Sequence, residues 1–290
     1  MMKRHFLFVA LMSTTLFAAN AQKNDDGAIT TNMLDKIRQS YQETPADKAL
    51  RNAIGSNDIR KLTLNQDNQK GVDTHFSIKV ESKGITDQKS SGRCWLFTGL
   101  NVMRAKTIAQ NGFQEFEFSQ TYSFFWDQLE KANLFLQGVI ETADKPMEDK
   151  TVEWLFKHPL SDGGTFTGVA DIVSKYGLVP KEAMPETYSS ENTRMMSSLI
   201  GLKLKEYGLK LREMVAQKAV KDKIEKEKTE MLSTVYRMLV LNLGVPPTEF
   251  DYVRKDANGN PIATEHHTPM SFLEKYGDKQ LLTNYVMVMN

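Results

Sequence analysis

Apolar positions recur along the chain with two spacings, which separate predicted helices from predicted strands. A spacing of three or four residues indicates a helix with one buried face, and strict alternation indicates a strand. Helical spacing covers residues 45–54, 94–111, 119–137, 166–176, 190–243 and 269–276. Alternation covers residues 74–80, 250–254 and 281–289. The chain is therefore expected to have an α+β fold in which helices dominate.

The segment 190–247 predicts a helical hairpin. Its apolar residues form two sets with helical spacing, separated by a stretch of mixed charge at residues 218–230. Such a charged stretch is typical of a solvated helical face or a connection between helices. The segment ends at Gly244-Val245-Pro246-Pro247, where glycine and proline stop the second helix.

The single cysteine, Cys94, lies where a polar loop meets the helix predicted over residues 94–111. In the first turn, unpaired backbone N–H groups and the positive end of the helix dipole stabilise a thiolate, which is the nucleophilic form. A lone cysteine before a helix is also a common small core residue. Position alone therefore leaves two interpretations of Cys94, a packing residue and a nucleophile.

Gln88 adds a second observation in favour of the nucleophile. It lies six positions before Cys94, on the loop that leads into the helix. Its side-chain N–H would point at the place where an acyl oxyanion forms, and the backbone N–H of Cys94 would be the second donor. We therefore predict an oxyanion hole made by these two groups.

The string from Asp87 to Arg104, DQKSSGRCWLFTGLNVMR, resembles the segment around the nucleophile of papain-like cysteine peptidases. It is closer still to the bleomycin hydrolase/aminopeptidase C branch, and the resemblance covers nearly all of residues 70–275. It implies a papain-like fold, mainly the helical N-terminal lobe with the helical hairpin as an insertion and the C-terminal β-barrel lobe largely absent. It also implies catalysis by Cys94 and Gln88, peptide substrates, no cofactor and a hexameric homo-oligomer.

Asp162, Gly163 and Gly164 form a tight loop before the helix predicted over residues 166–176. Adjacent glycines allow another backbone to approach closely, so the loop is either a simple turn or a rim where substrate pairs with protein backbone. With the segment that follows it, the loop resembles papain-like peptidases at their substrate cleft. On that resemblance Gly163 and Gly164 line non-primed subsites, and Asp162 lies beside them.

A cysteine nucleophile needs a base and a group that orients the base. Papain-like enzymes place this histidine and asparagine about 130–150 residues after the cysteine, and the corresponding window, 224–244, contains no histidine. His158 precedes a loop proline, and His266 and His267 precede a polar helix entry. None resembles the family's histidine strand. The resemblance therefore covers only the N-terminal portion of the family's chain, and the base and its asparagine are not found in this sequence.

Composition narrows the possible partners. The chain of 290 residues has a formal net charge of +1 and a pI of about 7.7, so no bulk charge favours nucleic acid or an anionic membrane. Residues 256–260 have a spacing that superficially suggests a calcium loop, but the bidentate glutamate of such a loop is absent. They predict a hairpin turn, and we expect no metal site.

The first 21 residues predict an export signal. A basic start is followed by an apolar run at residues 6–19, too short to span a bilayer, and by Ala19-Asn20-Ala21, which fits a signal-peptidase site. An uncleaved anchor is the alternative. We expect a periplasmic or extracellular protein that starts at Gln22 and has no stable membrane anchor. Its one cysteine forms no intrachain disulfide, so Cys94 is a free thiol.

These patterns divide the chain into five parts. They are a signal peptide (1–21), a lead-in (22–69), a papain-like lobe with the nucleophile (70–189), a helical insertion (190–247) and the incomplete start of a second lobe (248–290). Two functions remain open. The first is a cysteine-type aminopeptidase, and the second is a non-catalytic, truncated homologue that binds peptides or partner subunits.

Overall fold

A computed structural model of the chain describes residues 27–69, 71, 73, 75–256 and 258–286. Helices dominate this part of the chain, and its only sheet is a two-stranded hairpin. The predicted α+β fold with a helical majority is confirmed. The chain divides into two compact units, Met1–Phe76 and Ser77–Asn290. The predicted signal peptide lies outside the described residues.

The first unit consists of short helices: α1 (Thr31–Ser40), α2 (Pro45–Ser56), α3 (Ile59–Leu62) and a 3₁₀ turn (Gln66–Gln69). The helix start predicted at Pro45 is confirmed, because Thr44 and Asp47 form a capping box there. No residue of α1, α2 or α3 is buried.

The strand predicted over residues 74–80 does not form in the described residues 75–80, so this prediction is wrong there. Its apolar positions Phe76, Ile78 and Val80 are 70%, 84% and 72% exposed. Alternation predicts a strand only where one face is buried and a neighbouring strand accepts its hydrogen bonds. Neither condition holds for this segment.

The second unit contains the remaining elements. They are α4 (Cys94–Asn111), α5 (Gln120–Glu141), α6 (Lys150–Lys157), α7 (Phe166–Tyr176), α8 (Tyr188–Glu191), α9 (Arg194–Ala216), α10 (Lys221–Leu243), β1 (Phe250–Lys255), β2 (Pro261–His267), α11 (Pro269–Tyr276) and α12 (Lys279–Thr283).

Local chemistry sets the ends of the helices near the nucleophile. Helix α4 ends at Gly112, which has a left-handed φ of 68° and donates its N–H to Ile108 O at 2.9 Å. Helix α5 begins after Ser119, whose hydroxyl accepts the N–H of Tyr122 at 3.0 Å. The bounds predicted for α4 and α7 are confirmed, and α5 runs four residues past its predicted end.

Helix α5 lies at the centre of the second unit, packed against α4, α6, α7, α9 and α10. Its aromatic stripe, predicted to be core, is confirmed, because Tyr122 and Phe125 are buried. Trp126 is half-buried and stacks on Tyr176 with 4.3 Å between ring centroids. Burial of such large rings supplies much of the stabilisation of a helical unit. The core therefore fixes the surface on which α4 and α7 rest.

Helices α9 and α10 form the predicted hairpin. Four residues join them, and they pack on each other and on α5. Gly208 lets α9 approach closely, because a Cβ there would lie 3.0 Å from Phe156 Cζ and 3.1 Å from Phe135 Cζ. The close approach anchors the hairpin on α5 and α6, and α5 is also the helix on which α4 packs.

Strands β1 and β2 pair antiparallel, with Phe250 opposite His267 and Asp251 opposite His266. The predicted hairpin turn lies between the strands and is described at residues 256 and 258–260, where Asp256 Oδ1 accepts the N–H groups of Asn258 and Asn260, each at 2.8 Å. The predicted alternation from residue 281 forms no strand up to residue 286, and residues 287–289 lie outside the described part.

Candidate active site

Cys94 is the first residue of α4, and its side chain is exposed. Arg93 O accepts the N–H groups of Leu96 and Phe97, each at 3.0 Å, and so closes the first turn. The backbone N–H of Cys94 forms no hydrogen bond with any residue that the structure describes. The predicted place of Cys94 in the first turn is confirmed, and the thiol and an open N–H donor occupy the same residue.

The Gln88 loop is closed by two reciprocal hydrogen bonds. Gln88 Nε2 donates to Ser91 O at 2.6 Å, and Ser91 Oγ donates to Gln88 O at 2.6 Å. Lys89, between them, has a φ of 53°, an uncommon conformation for a side chain other than glycine. A carboxamide carries two N–H donors, so one remains after the bond to Ser91. The oxyanion role of Gln88 stays a prediction.

Arg93, directly before the nucleophile, is the deepest charged residue of the site. Its side chain is 0% exposed and forms a bidentate pair with Glu186, at 3.1 Å to Oε1 and 2.8 Å to Oε2. The guanidinium also lies over the rings of Phe97 and Phe124, 5.0 and 5.3 Å from their centroids. These contacts fix the backbone from which α4 and Cys94 begin.

Glu186 matches this buried cation electrostatically. Burial alone raises the pKa of its carboxyl, but hydrogen bonds and charge from Arg93, with a further hydrogen bond from Ser190, outweigh burial. The net pKa is lowered, so Glu186 is held as a carboxylate. Sequence reasoning missed this pair, because its members are 93 positions apart and no local pattern joins them.

Asp162 links the loop before Cys94, residues 88–93, to the start of helix α9. This loop is called the nucleophile loop below. Its Oδ2 accepts the N–H of Gly92 at 2.7 Å and the hydroxyl of Thr193 at 2.6 Å. A Cβ on Gly92 would lie 2.4 Å from Asp162 Oδ1, so only glycine fits without a shift of this carboxylate. Asp162 therefore lies beside the nucleophile loop, and its carboxylate holds that loop; its predicted place beside substrate subsites stays a prediction.

Gly164 lies against Trp95, the residue after the nucleophile. A Cβ at Gly164 would be 2.7 Å from Trp95 Cδ2, and Trp95 Nε1 donates to Asp162 O at 2.8 Å. The predicted loop of Asp162, Gly163 and Gly164 is thus brought against the start of α4. Its role in lining subsites stays a prediction.

Lys131 on α5 holds the other side of this loop. Its ammonium donates to Gly163 O at 2.6 Å, Ser161 O at 3.0 Å and Asp127 Oδ2 at 2.8 Å. It also lies 5.3 Å from the centroid of the Trp95 ring. Three acceptors use all three donors of a lysine. Sequence reasoning missed Lys131, although the i,i+4 spacing of Asp127 and Lys131 was a signal.

The carboxylate below Lys131 is buried. Burial raises the pKa of Asp127, and the charge and hydrogen bond of Lys131 with a hydrogen bond from Gln128 oppose that rise without cancelling it. Gln128 Nε2 also donates to Ser161 O at 3.0 Å. Gln128 and Lys131 of helix α5 thus support the loop at residues 161–163. The positive charge of Lys131 also compensates the negative charge of buried Asp127.

His158 and His266 have partners away from Cys94. The ring of His158 lies 5.8 Å from that of Trp154, at the end of α6. His266 Nδ1 lies 2.9 Å from Asp251 Oδ1 on the exposed edge of the hairpin, and this hydrogen bond raises the pKa of His266. Neither imidazole forms a hydrogen bond with Cys94.

His267 is 7% exposed and is held from both sides. Its Nδ1 lies 3.1 Å from Ser271 Oγ and its Nε2 lies 3.1 Å from Glu265 Oε2. Burial raises the pKa of Glu265, but hydrogen bonds from Lys275, Tyr276 and His267 lower it to about 2. The imidazole is therefore part of a satisfied polar cluster next to α11.

The described residues contain neither a cluster of metal-binding side chains nor a helix suited to a membrane. No group of three or more histidine, cysteine, aspartate or glutamate side chains in this part of the chain is placed to hold a metal ion. No helix in it combines the length and the apolar character that crossing a membrane requires.

Comparison with known proteins finds relatives that are named aminopeptidases. Aminopeptidase C of Lactobacillus delbrueckii subsp. lactis is 37% identical over 262 residues, which are 90% of this chain and 58% of that protein. Aminopeptidase C of Listeria monocytogenes is 36% identical over the same shares. A crystal structure of PepW from Lactobacillus rhamnosis superposes with a TM-score of 0.79 at 40% identity, covering 87% of this chain and 56% of that one.

The chain thus spans less than two thirds of the length of these relatives. The predicted resemblance to aminopeptidase C and the predicted papain-like fold are confirmed, and the hexamer stays a prediction. The model of the peptidase C1-like family matches residues 28–290. The chain belongs to the peptidase C1-like family.

Proposed function

We propose that this chain supplies the nucleophile of a cysteine-type aminopeptidase. The observation that carries the proposal is the exposed thiol of Cys94 at the start of α4, between the closed Gln88 loop and the loop at residues 162–164. The relatives named aminopeptidases support the class of reaction. Peptides with a free amino terminus are the proposed substrates.

In the proposed reaction the Cys94 thiolate attacks the scissile carbonyl carbon, and a C–S bond forms as the carbonyl electrons move to oxygen. The open N–H of Cys94 and the second N–H of Gln88 would bind that oxyanion. The C–N bond then breaks, the leaving amine takes a proton from the base, and water hydrolyses the thioester. Lys131 and Asp162 would act as positioning residues, because they hold the loops and not the reacting atoms.

We further propose that the base is none of His158, His266 and His267. The first lies against Trp154, and the other two are bound to carboxylates or to Ser271. A base must reach the thiol through one hydrogen bond or one water. We therefore propose that the histidine and its orienting asparagine lie outside the described residues of the second unit, whose only histidines are these three.

We expect residues 22–290, expressed alone, to be alkylated by iodoacetamide at Cys94 but to hydrolyse an aminoacyl-coumarin no faster than the Cys94→Ala variant. Loss of one member of such a catalytic group commonly lowers kcat by about 10³-fold or more. Peptide mapping of the alkylated protein and a fluorescence assay measure the two quantities.

Robust turnover that disappears in Cys94→Ala would contradict the proposal about the base. His266→Ala and His267→Ala would then identify the imidazole in use. Failure of Cys94 to react with iodoacetamide in the folded protein would instead count against its role as nucleophile.

A non-catalytic peptide-binding or assembly subunit is the second candidate function. The observation that favours it is that no described histidine forms a hydrogen bond with Cys94. Reading the coding DNA past codon 290 separates the two functions. An in-frame histidine strand and an Asn-Ser-Trp segment would support the peptidase, and an immediate stop without either would support the binding subunit.

We also propose export of the protein with cleavage after Ala21, on the basis of the basic and apolar start of the sequence. The mature protein is expected to begin at Gln22. Mass spectrometry of the N-terminus of protein purified from periplasm or medium measures this. Recovery of intact Met1 in a soluble cytoplasmic fraction would refute export.

A further inference from the structure

A surface cavity borders the loops of the candidate site. It has a volume of about 570 Å³ and lies between the nucleophile loop, the segment 158–162 and helix α9. We propose that this cavity, called here the α9 groove, binds an acidic segment of the peptide substrate. The proposal rests on the proposed peptidase function and adds a preference for one class of substrate.

One face of helix α9 forms the wall of the groove. Arg194, Ser197, Ser198, Gly201 and Lys205 line it. Positions 194, 198, 201 and 205 are spaced by three or four residues, and position 197 is next to 198. Eleven residues are close to three full turns, so these positions share one side of the helix. The two cations stand at the ends of the stripe, about 16 Å apart along the axis, and the small residues lie between them.

Both cations lack an intramolecular partner. Arg194 is exposed and Lys205 is half-buried, and neither forms an ion pair or a side-chain hydrogen bond with a residue that the structure describes. Lys203 on the same helix is different, because its ammonium lies 2.9 Å from Glu206 Oε1. The positive charges that line the groove are thus available to a ligand, and the charge of Lys203 is compensated.

The one carboxylate that lines the groove, Asp162, offsets one of these two positive charges and leaves the lining with an excess of about one positive charge. Asp162 accepts two hydrogen bonds through Oδ2, from Gly92 N and the Thr193 hydroxyl. Ser197 Oγ, in contrast, is buried without a partner among the described residues. An unpaired buried hydroxyl costs free energy, and a polar ligand group would recover it once the Ser197 side chain rotates towards the groove. The groove therefore offers donors and positive charge in excess of acceptors.

The dimensions of the groove favour an extended peptide. An extended chain rises about 3.3 Å per residue, so side chains four positions apart lie about 13 Å apart, and the long side chains of Arg194 and Lys205 reach over the remaining distance of about 3 Å. Side chains four positions apart point to the same side of an extended chain. A peptide with two glutamates at that spacing would place one carboxylate near Arg194 and the other near Lys205.

The test is peptide binding to the full chain carrying Cys94→Ala, which prevents cleavage. Two fluorescein-labelled decapeptides differ only in two glutamates or two glutamines, placed four positions apart, and anisotropy measures Kd. We expect the glutamate peptide to bind about fivefold more tightly at low salt, and we expect this preference to fade at about 0.5 M NaCl.

The double substitution Arg194→Gln and Lys205→Gln is expected to abolish the preference. The matched control is Lys221→Gln with Lys223→Gln, which removes the same charge from α10, outside the groove. Ser198→Trp, at an exposed position, is expected to weaken binding of both peptides by filling the groove. Equal Kd values for the two peptides, or equal losses in the double variant and its control, would overturn the proposal.

Alkylation of Cys94 by iodoacetamide in the native sequence tests the proposed function independently. A glutamate preference that depends on Arg194 and Lys205, found without alkylation of Cys94, would leave the groove standing and count against Cys94 as the nucleophile. Alkylation without the preference would support the nucleophile and overturn the groove.

Discussion

Glu186→Gln is expected to lower the free energy of unfolding of the second unit by about 3–5 kcal/mol. The fully buried guanidinium of Arg93 would lose its carboxylate partner and keep its charge. Burying an unpaired ion costs far more than the paired ion contributes, which is why one side of the pair is so sensitive. Urea denaturation followed by circular dichroism measures the change.

The matched control is Glu206→Gln, which removes the carboxylate of the exposed pair with Lys203 and is expected to leave the urea midpoint almost unchanged. The pH dependence has a definite sign. Because the pKa of Glu186 is lowered in the folded state, its stabilisation is present above the unfolded value and is lost as pH falls through the folded value. A Glu186→Gln midpoint equal to that of the native sequence would show that the pair contributes nothing.

Lys131→Met is expected to lower the free energy of unfolding by about 2–4 kcal/mol at pH 7, because it leaves the carboxylate of Asp127, 5% exposed, without its cation. It also removes the donors that hold Ser161 O and Gly163 O. Hydrogen exchange of the amides at residues 161–165 is therefore expected to become faster. Urea denaturation and exchange measured by mass spectrometry check the two effects.

Acid is expected to reduce the defect of Lys131→Met. Burial already raises the folded pKa of Asp127, and loss of Lys131 raises it further, so the protonated and neutral form becomes the stable one. The deficit in unfolding free energy should thus narrow as the pH falls from 7 towards about 4. Lys175→Met, which removes the exposed partner of Glu130, is the control; a deficit of the same size there would contradict the assignment to burial.

The helix ends around the site were predictable because each depends on neighbouring residues. Gly112 and Gly177 end α4 and α7, and Ser119 caps α5 with its own hydroxyl. Such signals act within one turn, so a single sequence contains all the information that they need. The position of Cys94 in the first turn of α4 followed from the same local pattern.

The supports of the site were not predictable in this way. The partners Arg93 and Glu186 meet only after α4 and the segment before α8 have packed, and Lys131 reaches a loop about 30 positions along the chain. Asp162 was predicted to lie beside the subsites, and the structure adds that its carboxylate binds Gly92 and Thr193. The spacing of residues along the chain does not show where a loop side chain points, so these hydrogen bonds could be identified only in the folded structure.

Trp95 gives the site an optical reporter of its own. Its indole N–H donates a hydrogen bond to Asp162 O, and its ring lies against Gly164 and beneath the Lys131 ammonium. Two residues of the loop at 162–164 and the lysine that supports this loop therefore surround one fluorophore. The chain has three tryptophans, of which Trp154 is 60% exposed. With Trp126 and Trp154 replaced by phenylalanine, emission would come from Trp95 alone. Movement of the loop beside Cys94 would then be followed in real time without an attached dye.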